Sequence, residues 1–409
     1  MNYCVIDLAY GDSGKGTTVD ALTRKIGSDL TVLFCGGPQS SHHVVLPDGT
    51  WHGFSQFGSG TFAGAKTYIS QYRMIEPYAL RNEAEALRDK GITFPYQRLI
   101  INPFSPVITP WQWRMNRLRE QARGNARHGS CGMGIGETRQ DELDGFVIRA
   151  GQLGDREHLA RIYDRKVEQA ATLFGEVGRK WLEEYTIDDV CDFHASIRTV
   201  LCIQDIPTLA ERSNVVYEGS QGFLIDEKYG FAPYHTWSDV TAYNARVLSG
   251  GGSNLHVIGV VPCAWTRHGA GPFPSEIPGV NGHDNHNKAN DWQGSLRHGK
   301  MDLVMLQYAL ENERVDSIAL TKVDQVKWPM PAVWMYADQI QRYETIPFGT
   351  PAKKLEALNT MLTPVRDIEC LEGMLGCTPI SIVSRGPVYT DKEFRKNVIE
   401  AAEIAEAVV

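Results

Sequence analysis

Short apolar runs punctuated by Gly, Pro or Asn recur at residues 3–8, 31–35, 98–101, 215–217, 256–261, 317–320 and 379–383. Their length and β-branched content predict buried strands. Between them, apolar residues at helical spacing predict helices over 17–26, 76–90, 111–123, 156–182, 301–312 and 391–408. In the last of these, Phe394, Val398, Ile399, Ala402 and Ala405 make one stripe, and Glu400, Glu403 and Glu406 lie on the solvated face. Alternation of strand and helix predicts an α/β protein with a mostly parallel central sheet flanked by helices. The Gly-, Asn- and His-rich stretch 279–299 reads as a mobile loop. No repeat or linker divides the chain, so residues 1–409 are read as one domain with long functional loops.

Composition adds limits. With 42% hydrophobic residues, the 409-residue chain can bury a large core. A formal net charge of −8, without long runs of one sign, argues against nucleic acid as a partner. No apolar stretch approaches the roughly 18 residues of a membrane span, and residues 1–7 show no basic leader or cleavage site, so no membrane association and a cytoplasmic location are expected. The eight cysteines lack CxxC spacing and read as reduced core thiols, with Cys131 in a glycine loop set apart. His43, His52, His128 and His235 read as structural or surface groups, since none has metal-ligand spacing.

Two loops carry chemistry. After the first strand comes Gly11-Asp12-Ser13-Gly14-Lys15-Gly16-Thr17-Thr18, leading into a helix. Glycines admit backbone N–H groups to phosphate oxygens, the helix N-terminus adds positive potential, and Lys15 can meet a phosphate charge. The spacing is not that of a regular P-loop, and a structural strand-to-helix turn is the alternative. Asp12 sharpens the case, because a carboxylate among such amides is repelled by phosphate unless it binds a metal or acts as a base. After the second strand comes Gly36-Gly37-Pro38-Gln39-Ser40-Ser41-His42-His43. A satisfied structural histidine is the usual case, but a histidine beside a phosphate loop can donate to a phosphoryl oxygen in the transition state.

These loops resemble the GDEGKGK and GGxNAGHT patterns of the adenylosuccinate synthetase family. The likeness continues in colinear order over about residues 3–390. Residues 128–136, HGSCGMGIG, resemble the family's GTTGRGIGP loop, and 218–222 with 224–226 resemble EGAQGTLLD. Residues 233–236 resemble PYVT, 269–276 resemble GAGPFPTE, 321–324 resemble TKLD and 384–387 resemble STGP.

The resemblance implies a ligase that phosphorylates the 6-oxo group of a purine nucleotide and lets L-aspartate displace the phosphate. On this mapping Asp12 removes the N1 proton and, with the carbonyl of Ser41, holds Mg²⁺. His42 stabilises the transferring phosphoryl group, Gln221 steadies the O6 region and Lys15 meets the donor phosphates. Ser13, Gly14, Gly16, Thr17, Lys322, Asp324 and Gly386 complete the nucleoside triphosphate site. Ser13, Gln39, Ser130, Cys131, Gln221, Thr236, Gly294, Ser295 and Arg297 bind the monophosphate and aspartate, with Arg297 the cation for the dicarboxylate. A homodimer is implied as well.

Departures from the family pattern bear on the substrate. Ser13 replaces Glu, Thr17 replaces Lys, Gln39 replaces Asn and Ser41 replaces Gly, while Cys131 and Met133 stand where Thr and Arg are usual. The arginine that a partner subunit contributes has no clear counterpart, and Arg139 is the substitute considered. This combination resembles the viral and archaeal-derived branch that makes 2-aminoadenylosuccinate from dGMP for 2-aminoadenine DNA, which implies dGMP as the purine deoxynucleoside monophosphate, ATP as donor with GTP possible, and host cytoplasm if virus-encoded. The alternatives are an ordinary GTP-dependent enzyme acting on IMP, and a nucleotide-hydrolysing switch or binding module.

Overall fold

The computed structural model describes residues 1–124, 127–280 and 296–395. In chain order the strands are β1 (Asn2–Asp7), β2 (Leu30–Leu33), β3 (His42–Val45), β4 (Trp51–Phe54), β5 (Lys66–Ile69), β6 (Leu99–Ile101), β7 (Cys202–Ile203), β8 (Val216–Glu218) and β9 (Leu255–Pro262). They continue with β10 (Ala264–His268), β11 (Leu296–Asp302), β12 (Ser317–Thr321), β13 (Met330–Ala337), β14 (Arg342–Tyr343), β15 (Asn359–Val365), β16 (Ile380–Ser384) and β17 (Lys392–Phe394). The helices that matter below are α1 (Lys15–Ile26), α2 (Pro77–Asp89), α3 (Pro110–Arg123), α4 (Ile135–Leu143), α5 (Arg156–Glu183), α6 (Ile187–Arg198), α7 (Tyr243–Leu248) and α8 (Leu303–Asn312).

Ten strands form the central sheet in the order β17-β16-β12-β9-β1-β8-β2-β5-β6-β7, with every pairing parallel except β16 to β17. This confirms the expected α/β class. The central β1 is buried at all six positions, as a parallel strand covered on both faces must be. Its side chains alternate between two cores. Tyr3 and Val5 pack with Val19 and Leu22 of α1, whereas Cys4 and Ile6 belong to the cluster that includes Leu306 and Tyr308 of α8. A third cluster joins the β5 and β6 side of the sheet to α2, α3, α5 and α6 through Leu80, Trp111, Leu159 and Val190.

Parallel strands send their carboxyl ends to one edge, where α/β sheets bind ligands. At that edge lie residues 8–14 after β1, 34–41 after β2, 219–222 after β8, 322–325 after β12 and 385–391 after β16. A second sheet, β10-β11-β13-β14 with β15 on β13, brings β10 to the same edge.

Four expectations change. Residues 392–394 are an edge strand antiparallel to β16 and not the start of a helix, and the rest of that expected helix lies outside the described residues. Residues 296–299 of the expected loop pair with β10 as strand β11, while 281–295 lie outside the described residues. The helix expected from residue 301 begins at Leu303, because the Asp302 side chain caps it by accepting from the Met305 N–H at 3.2 Å. All eight cysteines are free, but only Cys4, Cys35 and Cys263 are buried, and Cys202 and Cys377 are exposed.

Candidate active site

The loop after β1 turns through left-handed conformations at Gly11 (φ 101°), Asp12 (φ 55°) and Gly14 (φ 88°) before α1 begins. This aims Asp12 into the cavity, with 33% of its side chain open. Burial alone would raise its carboxyl, but the hydrogen bond and charge of His268, with Lys322 and Lys15 nearby, hold it down at about 2. Lys15 is buried, with Nζ 2.9 Å from Asp7 Oδ2 and donating to the Gln221 carbonyl at 2.6 Å. Ser13 is fully buried and donates to the Gly11 carbonyl over a long 3.3 Å. Gly16 has a packing reason to be glycine, since a Cβ there would come 2.8 Å from His42 Cβ.

That close approach seats His42, the first residue of β3, against the phosphate loop. Its Nδ1 lies 2.5 Å from Oε1 of buried Glu218, which also accepts from the Ser59 N–H at 2.8 Å and the Ser59 hydroxyl at 2.5 Å. Burial would raise Glu218, yet these bonds and the nearby His42 lower it below the usual carboxylate range. The pairing fixes the His42 ring and leaves Nε2 buried without a partner among the described residues. Arg73, 2% exposed, braces the preceding loop by donating to the carbonyls of Cys35 (2.8 Å) and Gly37 (3.0 Å).

After β8, Gln221 takes a left-handed conformation (φ 59°) and donates through Nε2 to Thr236 Oγ1 at 2.9 Å. Gly222 must follow it, because a Cβ there would meet the Ala9 carbonyl at 2.3 Å. Gln221 Oε1 and both amide atoms of Gln39 are buried without partners among the described residues. Leaving such atoms unmet costs about 1–3 kcal/mol each, and because Gln39 and Gln221 line the cavity a ligand's polar groups could meet them.

A cavity of about 1170 Å³ gathers Asp12, Ser13, Gly14, Lys15, Gly16, Thr17, Gln39, Ser41, His42, Ser130, Cys131, Gln221, Thr236, Lys322, Asp324 and Gly386 on its walls. These come from segments up to hundreds of residues apart. Thr17 Oγ1 donates to the Pro387 carbonyl at 2.6 Å, tying α1 to the 384–387 loop, and Thr321 Oγ1 donates to the Ser13 carbonyl at 2.5 Å. Burial pushes the Cys131 thiol up to about 11, so it is a neutral group and not a reactive thiolate.

Arg297 stands apart from this set and is not among the lining residues. Its guanidinium engages Glu276 at 2.9 and 2.5 Å and donates to the carbonyls of Gly269 (3.2 Å) and Gly271 (2.8 Å). Dicarboxylate binding by this fork would therefore require exchange with Glu276. Gly294 and Ser295 lie outside the described residues. Arg139 donates to Glu142 at 2.7 Å and also does not line the cavity.

Sequence reasoning missed His268, with Nε2 3.2 Å from Asp12 Oδ2, and Glu218 behind His42. Each carries a signal in the chain: His268 directly precedes the 269–276 motif, and Glu218 opens the 218–222 motif. Among the described residues no three His, Cys, Asp or Glu side chains converge as metal ligands. Asp12 and Ser41, expected to hold Mg²⁺, both line the cavity, and a carboxylate with a carbonyl would suit that ion because it keeps waters and takes most of its remaining ligands from substrate phosphates.

A family model described as adenylosuccinate synthetase matches residues 4–361. The adenylosuccinate synthetase of Chromohalobacter salexigens is 30% identical over 337 residues, covering 79% of this chain and 77% of that protein. That of Oleidesulfovibrio alaskensis is 32% identical over 339 residues, covering 79% and 78%. Among solved structures, fully ligated adenylosuccinate synthetase from Plasmodium falciparum superposes with a TM-score of 0.84 at 20% identity, over 96% of this chain and 99% of that one. Cyanophage S-2L succinoaminodeoxyadenylate synthetase, bound to dGMP and to dATP as an energy donor, superposes with a TM-score of 0.60 at 17% identity, over 99% and 98%.

Proposed function

Because the chain belongs to the adenylosuccinate synthetase family, whose reaction joins L-aspartate to a purine nucleotide, we propose that this member acts on dGMP, with ATP as phosphate donor and Mg²⁺ as the metal. The product would be 2-amino-2′-deoxyadenylosuccinate, with ADP and phosphate released.

The chemistry follows from the placement of groups. An amide-like 6-oxygen is a poor leaving group and phosphate a good one, so O6 must be phosphorylated before the amine of aspartate can attack C6. Asp12, held ionised and open to the cavity, is placed to accept the N1 proton as O6 attacks the donor's γ-phosphorus. The buried His42 Nε2 is placed to donate to the transferring phosphoryl group, and Glu218 keeps it aimed. Gln221 Oε1 and the Gln39 amide offer unmet polar atoms to the base. Mg²⁺ on Asp12 and the Ser41 carbonyl would offset the charge of the donor phosphates.

Ser13 carries the choice of dGMP. It lies beside Asp12, small and fully buried, and its hydroxyl hydrogen points to the Gly11 carbonyl over a long 3.3 Å, so a small turn of the loop would bring its lone pairs to an exocyclic amino group at C2. The cyanophage protein with dGMP and dATP, similar in fold, supports the same reading. The second reading, an ordinary GTP-dependent enzyme acting on IMP, is favoured by the names of the sequence relatives and by Asp324 on the cavity wall, since the resemblance to TKLD implies a carboxylate there that reads the guanine of GTP.

Incubating the protein with Mg²⁺, L-aspartate, ATP or GTP, and dGMP, GMP or IMP, then weighing the products by mass spectrometry, separates these readings. A succinylated product from dGMP in preference to IMP is expected. Turnover of IMP alone would remove the dGMP assignment, and phosphate release without aspartate would indicate a hydrolase.

A further inference from the structure

We propose that Arg119 and Arg123 of α3 hold the 5′-phosphate of the substrate nucleotide, supplying that charge from the same chain as the rest of the site. The inference rests on the reading of the substrate as a purine 5′-monophosphate, and not on which purine it is.

The cavity has two regions suited to anions. One is the 11–17 loop with the N-terminus of α1 and Lys15. The other, across Asp12, His42 and Gln221, is the glycine-rich loop that carries Ser130 and leads into α4. A nucleotide whose 6-oxo group reaches Asp12 and Gln221, with the donor phosphates on the first region, leaves its own phosphate to the second.

Facing that loop, α3 presents Asn116, Arg119 and Arg123, spaced three and four apart and therefore on one face of the helix. All three line the cavity. Asn116 clamps the loop at both ends, donating through Nδ2 to Ser130 Oγ at 2.9 Å and accepting from the Gly134 N–H at 3.1 Å. Arg119 is oriented through Nε by Glu137 at 2.5 Å, and Glu137 is shared with buried Lys166 at 3.0 Å. Arg123 is oriented through Nη1 by fully buried Glu120, whose second oxygen accepts from the Gly129 N–H at 3.2 Å. The carboxylates thus lock each guanidinium against the loop while about a third of each arginine side chain stays open (33% and 35%). Two forked guanidinium groups held in place beside a glycine-rich loop that opens a helix, each with open surface on the cavity wall, are an arrangement that recognises a phosphate dianion.

The test is titration calorimetry on the full chain with dGMP, IMP, 2′-deoxyguanosine and inosine, comparing each nucleotide with its nucleoside. For wild type the nucleotide should bind about a hundredfold or more tighter than its nucleoside, on the scale of charge-assisted hydrogen bonds. R123A and R119K should each cut that ratio by roughly tenfold, with nucleoside affinity unchanged, on the same scale. R156A, at an exposed ion pair with Asp188 away from the cavity, should leave the ratio intact. R119A is not relied upon, since it also breaks the link to Glu137 and Lys166, and circular dichroism with thermal melting verifies that each variant folds. The proposal is overturned if the ratio is unchanged in R123A and R119K, if nucleoside and nucleotide affinities fall together, or if wild type binds neither nucleotide. A preference for IMP over dGMP would sink the substrate assignment while leaving the arginine assignment standing.

Discussion

His268 Nε2 lies 3.2 Å from Asp12 Oδ2, joining the end of β10 to the loop after β1 across the mouth of the cavity. The contact is the main reason the Asp12 carboxyl falls to about 2 against a burial effect that acts the other way. A carboxyl lowered below its ordinary 3.8 stabilises the folded state at neutral pH, and that contribution is lost as pH falls through about 4 toward 2. Replacing His268 by Ala leaves the burial effect while removing the largest opposing one, so the Asp12 carboxyl should rise. Carbon-13 NMR titration of the Asp12 carboxyl checks this, and an unchanged midpoint would show that Lys322 and Lys15 suffice.

Asp12→Asn and His42→Asn should each lower kcat by at least about a hundredfold with nucleotide binding largely retained, because in the proposed mechanism both groups act mainly on charge that develops during phosphoryl transfer. Glu218→Gln should lower kcat by roughly tenfold with little change in KM, since it keeps the shape but weakens the hold on the His42 ring. Steady-state kinetics decides, and near-normal turnover in any variant removes that residue from the mechanism.

The loops around the cavity were legible where chemistry is contiguous in the chain. Residues 11–17 show a strand, a glycine turn and a helix in succession, and the structure folds them so. Non-local pairing hid the rest. His268 meets Asp12 at the end of β10, which pairs antiparallel with β11, and the Gly, Asn and His content of 279–299 hides the start of β11. Residues 392–394 carry the first apolar position of a helical stripe, yet the open edge of β16 takes them as a strand, with Val383 opposite Glu393. Arg119 and Arg123 look like the solvated face of α3 until the 128–134 loop folds over them.

Arg297 distinguishes two roles. If it recognises aspartate, Arg297→Ala should raise the aspartate KM by roughly tenfold or more, the scale of a lost forked pair, whereas Glu276→Gln should leave that KM unchanged or lower it by freeing the fork. If it only braces the 269–276 loop, both variants should lower the melting temperature with unchanged aspartate saturation. Aspartate-saturation curves beside thermal melts give the answer, and the sequence pattern favours the first outcome.

His194 on α6 is fully buried, and neither ring nitrogen has a hydrogen-bond partner among the described residues. Burial pushes its imidazole down to about 4. The unfolded chain therefore takes up a proton that the folded one refuses, so stability is full above about pH 6.5 and falls by about 1.4 kcal/mol per pH unit toward pH 4. His194→Phe should flatten that slope in urea unfolding measured from pH 7 to pH 5. An equal slope in the variant would place the acid sensitivity elsewhere.

The proposed role of Ser13 in choosing between the two purines rests on physical grounds that a single substitution can test. Guanine carries an amino group at C2 and hypoxanthine only a hydrogen, so a hydroxyl acceptor beside the base rewards the first and gains nothing from the second. Ser13 is fully buried, and Thr321 Oγ1 anchors its carbonyl at 2.5 Å, so a larger side chain has little room to turn away. A glutamate there would crowd the amino group and set a second carboxylate next to Asp12, which disfavours keeping both ionised. Ser13→Glu should lower kcat/KM for dGMP by roughly tenfold or more and shift the ratio toward IMP, the scale of one lost hydrogen bond. Competition assays with both nucleotides in one tube measure that ratio directly. A variant that keeps the wild-type preference, or a wild type that already prefers IMP, would leave Ser13 as a tolerated replacement and make ordinary adenylosuccinate synthesis the better reading.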